Sequence, residues 1–321
     1  MTILLTGADT LFGSRVAGEL ADNGFPVRAI AAPGTAPRVD GIPFETSSSS
    51  ALDLESCLSA LDGATAVFHL ESERLLSSPL DEPVARAHVE GTRNLLVAMT
   101  RCGVEDIVYS SSAMSFAPGS VAEPGDESTR APEGSAACLR AMRATEDLLR
   151  RYCDDGRLRY VTLHPTVMMG DGTSARDTCW WLIDRALSGA LAGRAGGINV
   201  VRASDAAPAA IKVMGRGKPS EAFILAGENI TLADLAGEVR LAMEAIGADH
   251  RPVATPAAKP KRSRGRSKDP AEPLAAMLAE SGLYYSPGLA RERLDLRVSP
   301  AAETTAEAVE SFFSSPGTGG P

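Results

Sequence analysis

The sequence predicts an α/β fold: a doubly wound parallel sheet with helices on both faces, followed by a smaller, mostly helical C-terminal lobe. Three observations predict it. Short β-type apolar runs alternate with longer helical patterns from Thr2 to about His164, as expected of buried parallel strands covered by helices. A turn bearing Gly7 and Gly13 joins the first run to the first helical pattern. Beyond His164 the alternation loosens and helical pieces dominate.

The expected strands are Thr2-Ile3-Leu4-Leu5, Val27-Arg28-Ala29-Ile30, Ala66-Val67-Phe68-His69-Leu70, Asp106-Ile107-Val108-Tyr109-Ser110 and Tyr160-Val161-Thr162-Leu163. Helical patterns lie between them at Gly13 to Asn23, Val84 to Arg101 and Ser135 to Tyr152, and later at Asp177 to Leu187, Leu232 to Ala245, Ala271 to Ser281 and Ala301 to Phe313. The expected division is a nucleotide-binding domain over 1–165, its sheet open to completion by later segments, and a substrate lobe over 166–313. A segment at 254–270, rich in Pro, Ala, Lys and Arg, reads as a solvated flap, and the Ser, Gly and Pro tail at 314–321 as disordered.

Composition limits the function. With 321 residues, 44% of them hydrophobic, the chain can bury a large core. A formal charge of -9 argues against a nucleic-acid partner. The cluster Lys259, Lys261, Arg262, Arg264, Arg266 and Lys268 is a local exception, read as a solvated segment or a lid over a large substrate. Five scattered cysteines without a C-x-x-C pair suggest reduced thiols, no metal site and a cytoplasmic protein. No leader pattern and no bilayer-length apolar run is seen, so no membrane association is expected. Monomer and homodimer both remain open.

Thr6-Gly7-Ala8-Asp9-Thr10-Leu11-Phe12-Gly13 carries the most specific chemistry. Gly7 permits a tight turn and Gly13 lets the following helix pack closely, so that helix amides and dipole face a pyrophosphate. The pattern resembles the Rossmann-type dinucleotide loop. Thr10 stands where a third glycine is usual, so it either narrows the phosphate's approach or supplies a hydroxyl. The expected cofactor is NADPH or NADH.

Further stretches extend the pattern: Val67-Phe68-His69-Leu70, Val89-Glu90-Gly91-Thr92-Arg93-Asn94-Leu95-Leu96, Val108-Tyr109-Ser110-Ser111-Ser112-Ala113, Asp126-Glu127-Ser128, His164-Pro165-Thr166-Val167-Met168-Met169-Gly170 and Ala290-Arg291-Glu292-Arg293-Leu294. With the glycine loop they resemble the extended short-chain dehydrogenase/reductase family over almost the whole chain. The resemblance implies cofactor contacts from Thr6, Gly7, Asp9, Thr10, Leu11, Phe12, Gly13, Leu70, Ser110, Pro165 and Val167. Arg28 or Arg38 is offered to a 2′-phosphate, while Ser50 and Ala32 fall at altered cofactor positions, so preference between NAD and NADP stays open.

In that family a Ser and a Tyr-x-x-x-Lys pair handle the proton, the Lys lowering the Tyr pKa. Aligned on Glu146, Cys138 stands at the Tyr position and Met142 at the Lys position, leaving Ser112 as the catalytic residue. Tyr152 is an alternative acid, followed four places on by Gly156 rather than Lys. Cys138 and His88 are possible substitute donors, and structural roles fit both better. The pattern of absence resembles the atypical ketoreductases of aromatic, angucyclinone-type polyketide pathways in antibiotic biosynthesis. It implies reduction of a polycyclic aromatic ketone whose own hydroxyl, or a water, delivers the proton. Trp180, Trp181, Met168 and Met169 are candidates for the pocket wall. The alternative is a non-catalytic NAD(P) sensor; a non-redox isomerase or dehydratase finds no carboxylate pair in the sequence.

Overall fold

Alternation of side chains along each strand sorts the apolar residues onto two faces, and the core follows from it. The computed structural model describes residues 2–31, 41–46, 52–134, 136–172, 178–191, 193–248 and 281–314. Strands β1 (Thr2–Thr6), β2 (Val27–Ala31), β3 (Phe44–Thr46), β4 (Ala64–His69), β5 (Asp106–Ser110), β6 (Arg159–Pro165) and β9 (Ala222–Leu225) form one sheet in the order β3-β2-β1-β4-β5-β6-β9. Every pairing in it is parallel. Ile3, Leu5, Phe68, Val161 and Phe223 face helices α1 (Leu11–Asp22) and α7 (Ala203–Arg216). Leu4, Ile30, Val67, Ile107 and Tyr109 face α2 (Leu54–Ala60), α4 (Glu82–Cys102) and α5 (Ala137–Asp154). The fold is therefore the Rossmann-like doubly wound sheet that the sequence predicts.

The strands differ from their expected bounds by a few residues at most. The second lobe differs more. It is mostly helical, as expected, but β7 (Val167–Met169), β8 (Gly197–Arg202) and β10 (Glu228–Thr231) add a three-stranded sheet that the sequence reading lacks, packed by α6 (Thr178–Leu187), α8 (Leu232–Ala245) and α10 (Ala301–Ser314). Segment 166–313 also returns to the main sheet through α7, β9 and α9 (Gly288–Leu294). A short helix α3 (Ser72–Leu76) follows β4, where the sequence pattern carries no helical expectation. The basic segment at 254–270, the expected helix at 271–281 apart from its last residue, and the tail beyond Ser314 lie outside the described residues.

Asn199 ties the two sheets' ends together. Its Oδ1 accepts from Gly227 N and Thr166 Oγ1, both at 2.8 Å. Its Nδ2 faces Gly227 O at 3.1 Å, Asn229 Oδ1 at 2.8 Å and Tyr285 O at 3.2 Å. An amide buried to 1% exposure is thus fully used. Replacement Asn199→Ala leaves buried partners unpaired and is expected to lower stability by about 3 kcal/mol in urea denaturation; Asn199→Asp turns a carboxylate oxygen toward three carbonyl oxygens in a buried site and should cost at least as much.

Candidate functional site

The strand order reverses direction of growth between β1 and β4, and the carboxyl ends of those strands border the crevice where such sheets bind ligands. The glycine loop lies there. Gly7 has φ 79°, and a Cβ on it would stand 2.5 Å from Leu70 O at the end of β4. A Cβ on Gly13 would stand 2.0 Å from Gly7 O, so the first turn of α1 sits directly on the loop backbone. Both glycines are dictated by close approach. Thr10 does not offer its hydroxyl outward: it caps α1, accepting from Gly13 N at 3.0 Å and donating to Gly7 O at 2.8 Å. The free amides of the first turn are then the groups that can hold a diphosphate.

Thr6, Gly7, Leu11, Phe12, Leu70 and Ser110 gather at this crevice, with Pro165 and Val167 on its far wall. Asp9 is turned to Arg74, with which it forms an ion pair. Arg28 is placed elsewhere: it lies early in β2, and its guanidinium donates to Ala60 O at 3.0 Å and Asp62 O at 2.8 Å. It stands before the carboxyl end of that strand and is held by the far end of α2, which removes it from contact with a 2′-phosphate. Arg38, Ala32 and Ser50 lie outside the described residues.

Beside the loop opens a largely apolar cavity. Phe12, Leu70, Leu76, Met114, Met168, Leu283 and Tyr285 contribute apolar surface, Ser110, Ser111, Ser112, Thr166 and Asn199 polar groups, and Glu73 is the one charged side chain among its described lining residues. Ser112 opens a short 3-10 turn, Ala113–Ser115, and its Oγ accepts from Met114 N at 3.3 Å. That leaves the hydroxyl hydrogen to donate toward the cavity.

The turn is held from behind. His164 Nδ1 donates to Ser112 O at 3.0 Å, so its Nε2 accepts from Thr162 Oγ1 at 2.9 Å. Ser111 Oγ donates to Glu146 at 2.7 Å, and Glu146 also accepts from Arg130 at 2.7 Å. Burial opposes the Glu146 charge, but His164, Arg130 and Ser111 outweigh it and hold the carboxyl below its ordinary range. The expected pocket wall is partly corrected. Met168 lines the cavity, whereas Met169 is fully buried. Trp180 packs on Phe312, ring centres 4.1 Å apart, and Trp181 lies under Arg185.

Cys138 is 1% exposed and clusters with Met142, Leu75 and Ala85; Leu76 and Met114 pack on that cluster and also border the cavity. Burial pushes its thiol up to about 12. Neither observation suits a proton donor. His88 is stacked on His69 at 5.5 Å and reaches Tyr109 OH at 3.2 Å, and it is not among the residues lining the cavity. Sequence reasoning passed over Glu71, Glu73 and Arg74, although they follow β4 at the reversal of strand order, which is a usable signal.

Comparison with known proteins accords with this geometry. Residues 3–236 match the model of the NAD dependent epimerase/dehydratase family. The chain belongs to that family. The family is NAD dependent by its description, in keeping with the glycine loop. A stretch of 129 residues is 26% identical to a putative dihydroflavonol 4-reductase of Synechocystis, covering 40% of this chain and 37% of that one, so the match spans little more than a third of the relative's length. The crystal structure of gox2253 superposes with a TM-score of 0.75 at 28% identity, covering 97% of this chain and 98% of that one. UDP-glucose 4-epimerase of Thermus thermophilus in complex with NAD gives 0.74 at 20% identity, covering 98% and 99%, a likeness of fold. Among the described residues no helix is long and apolar enough to cross a membrane.

Three inward-facing histidines make the site region sensitive to acid. Burial lowers His88 and His164 from 6.5 to about 4, and His69 well below its usual value. A lowered pKa means that the unfolded chain takes up protons first, so the stabilisation is complete above pH 6.5 and is lost as pH falls toward 4. The loss is roughly 3 kcal/mol for His164, and less for His88, which keeps part of its surface open to solvent. Denaturation at pH 7, 5.5 and 4.5 should show that decline, and His164→Asn should make it shallower.

Proposed function

We propose that the enzyme is an NAD(P)H-dependent ketoreductase of the atypical short-chain dehydrogenase type, acting on a polycyclic aromatic ketone in secondary-metabolite biosynthesis. The observation that carries this reading is Ser112, with a hydroxyl hydrogen free to donate, at the wall of an apolar cavity adjoining the dinucleotide loop. Nucleotide-sugar substrates ask for cations opposite their diphosphate. No Lys or Arg occurs among the described residues lining this cavity, and its apolar surface suits a flat hydrophobic molecule. The relative described as a putative dihydroflavonol 4-reductase points toward reduction of an aromatic ketone as well.

In this reading Cys138 and Met142 stand where family members carry Tyr and Lys. Both lie behind Leu76 and Met114, which leaves Ser112 to hold the substrate oxygen without a neighbouring side-chain acid of that type. NAD(H), when bound, supplies the hydride. Ser112 donates a hydrogen bond to the ketone oxygen and so favours charge on it. The proton comes from a hydroxyl adjacent to the ketone on the substrate, or from water, and loss of an enzymatic general acid costs about 10²- to 10⁴-fold rather than the whole rate. Thr6, Gly7, Leu11, Phe12 and Gly13 form the cofactor's diphosphate site, with Leu70, Ser110, Pro165 and Val167 toward the nicotinamide.

A panel of aromatic ketones with and without an adjacent hydroxyl tests the proposal, using dinucleotide deuterated at C4. Deuterium should pass to the hydroxyl-bearing ketones, and Ser112→Ala should lower kcat about 10²-fold. The pair Cys138→Tyr with Met142→Lys should add little, because the geometry around Leu76 and Met114 has closed over those positions. Dinucleotide binding without label transfer to any ketone would favour a sensor instead.

A further inference from the structure

The first turn of α1 already holds an anion. Phe12 N, one of the amides left free by the helix start, donates to Glu73 Oε2 at 3.3 Å. Glu73 stands on α3, immediately after β4, on the segment that Leu70 O brings against Gly7. A carboxylate at a helix N-terminus is favoured by the same amides and dipole that favour a phosphate. The nearby cation offers no relief to an incoming diphosphate, since Arg74 is paired with Asp9. Thr10, whose hydroxyl faces into the loop, adds no donor.

We propose that Glu73 is an intramolecular competitor for the diphosphate of the dinucleotide and thereby sets the affinity of this site. Its carboxylate mimics one phosphate in the free protein and leaves the Phe12 amide when the dinucleotide binds. The site then exchanges one charge-assisted hydrogen bond for another, and the diphosphate gains only the difference. Displacement is also opposed by charge, because a carboxylate that stays near the loop repels the anion it has made way for. The inference concerns cofactor binding alone and stands whether or not the substrate is an aromatic ketone.

Calorimetric titration of the full chain with NADH, ADP and adenosine tests it. ADP carries the diphosphate without the nicotinamide, and adenosine carries neither phosphate. Glu73→Gln and Glu73→Ala should each bind NADH and ADP about tenfold tighter than the wild type, with adenosine binding unchanged. Circular dichroism verifies that both variants are folded; the isosteric Gln variant decides the matter if the Ala variant is not. Equal or weaker binding of NADH and ADP by Glu73→Gln overturns the proposal. An equal gain for adenosine overturns it too, because a general loosening of the crevice would then be the cause.

Discussion

The contact on which the rest of this structure depends is the approach of bare backbone to bare backbone at the start of the sheet. Gly7 meets Leu70 O, and Gly13 meets Gly7 O, at separations that exclude any Cβ. These contacts draw the end of β4 against the turn after β1 and set the axis of α1 toward the crevice. With the strand order reversing there, the amides of the first helical turn and the carboxyl ends of β4, β5 and β6 converge on one volume. The glycine loop and the apolar cavity are neighbours because of this packing.

Ser112 depends on a different kind of support. It sits one residue beyond Ser111, which is bonded to a buried carboxylate; His164 reaches the Ser112 carbonyl while Glu146 anchors its neighbour. Leaving a buried carboxylate half-paired is costly, and Glu146 is satisfied by Ser111, Ser115 and Arg130 together. The serine turn is consequently fixed by polar contacts, whereas the wall toward Cys138 and Met142 is fixed by apolar packing. The asymmetry is chemical: one side of the cavity can polarise an oxygen, and the other can only exclude water.

How much of this was legible in the sequence follows from the signal each element carries. β1, β2, β4, β5 and β6 are apolar runs bounded by polar turns, so they are read within a few residues. The glycine loop was read through the physical demand on Gly7 and Gly13. The second sheet was missed because β7 has three residues, and β10 offers only Ile230 as a buried side chain among four. Helix α7 was missed for another reason: it is rich in alanine and carries Pro208 inside, so apolar contrast is low and a breaker is present. Among site residues, Ser112 could be found by its motif, whereas Glu73 was marked only by its place after β4 and not by what it bonds. Its role depends on a bond between residues 61 apart in sequence, and Ser72-Glu73-Arg74 reads locally as any exposed helix start.

Arg28 shows the same limit from the opposite side. A lone arginine in the second strand satisfies the local expectation for a 2′-phosphate partner, yet its guanidinium is engaged by Ala60 and Asp62 carbonyls. Register decides this: Arg28 pairs with Leu4, whereas Ile30 pairs with Thr6 at the end of β1, so Arg28 lies two residues short of the level of the loop. A displacement of two residues along a strand is about 6–7 Å, more than a side chain already bound to two carbonyls can recover without giving them up. Cofactor discrimination therefore cannot rest on Arg28. The charged groups that stand beside the first turn of α1 are instead Glu73 and the Asp9–Arg74 pair.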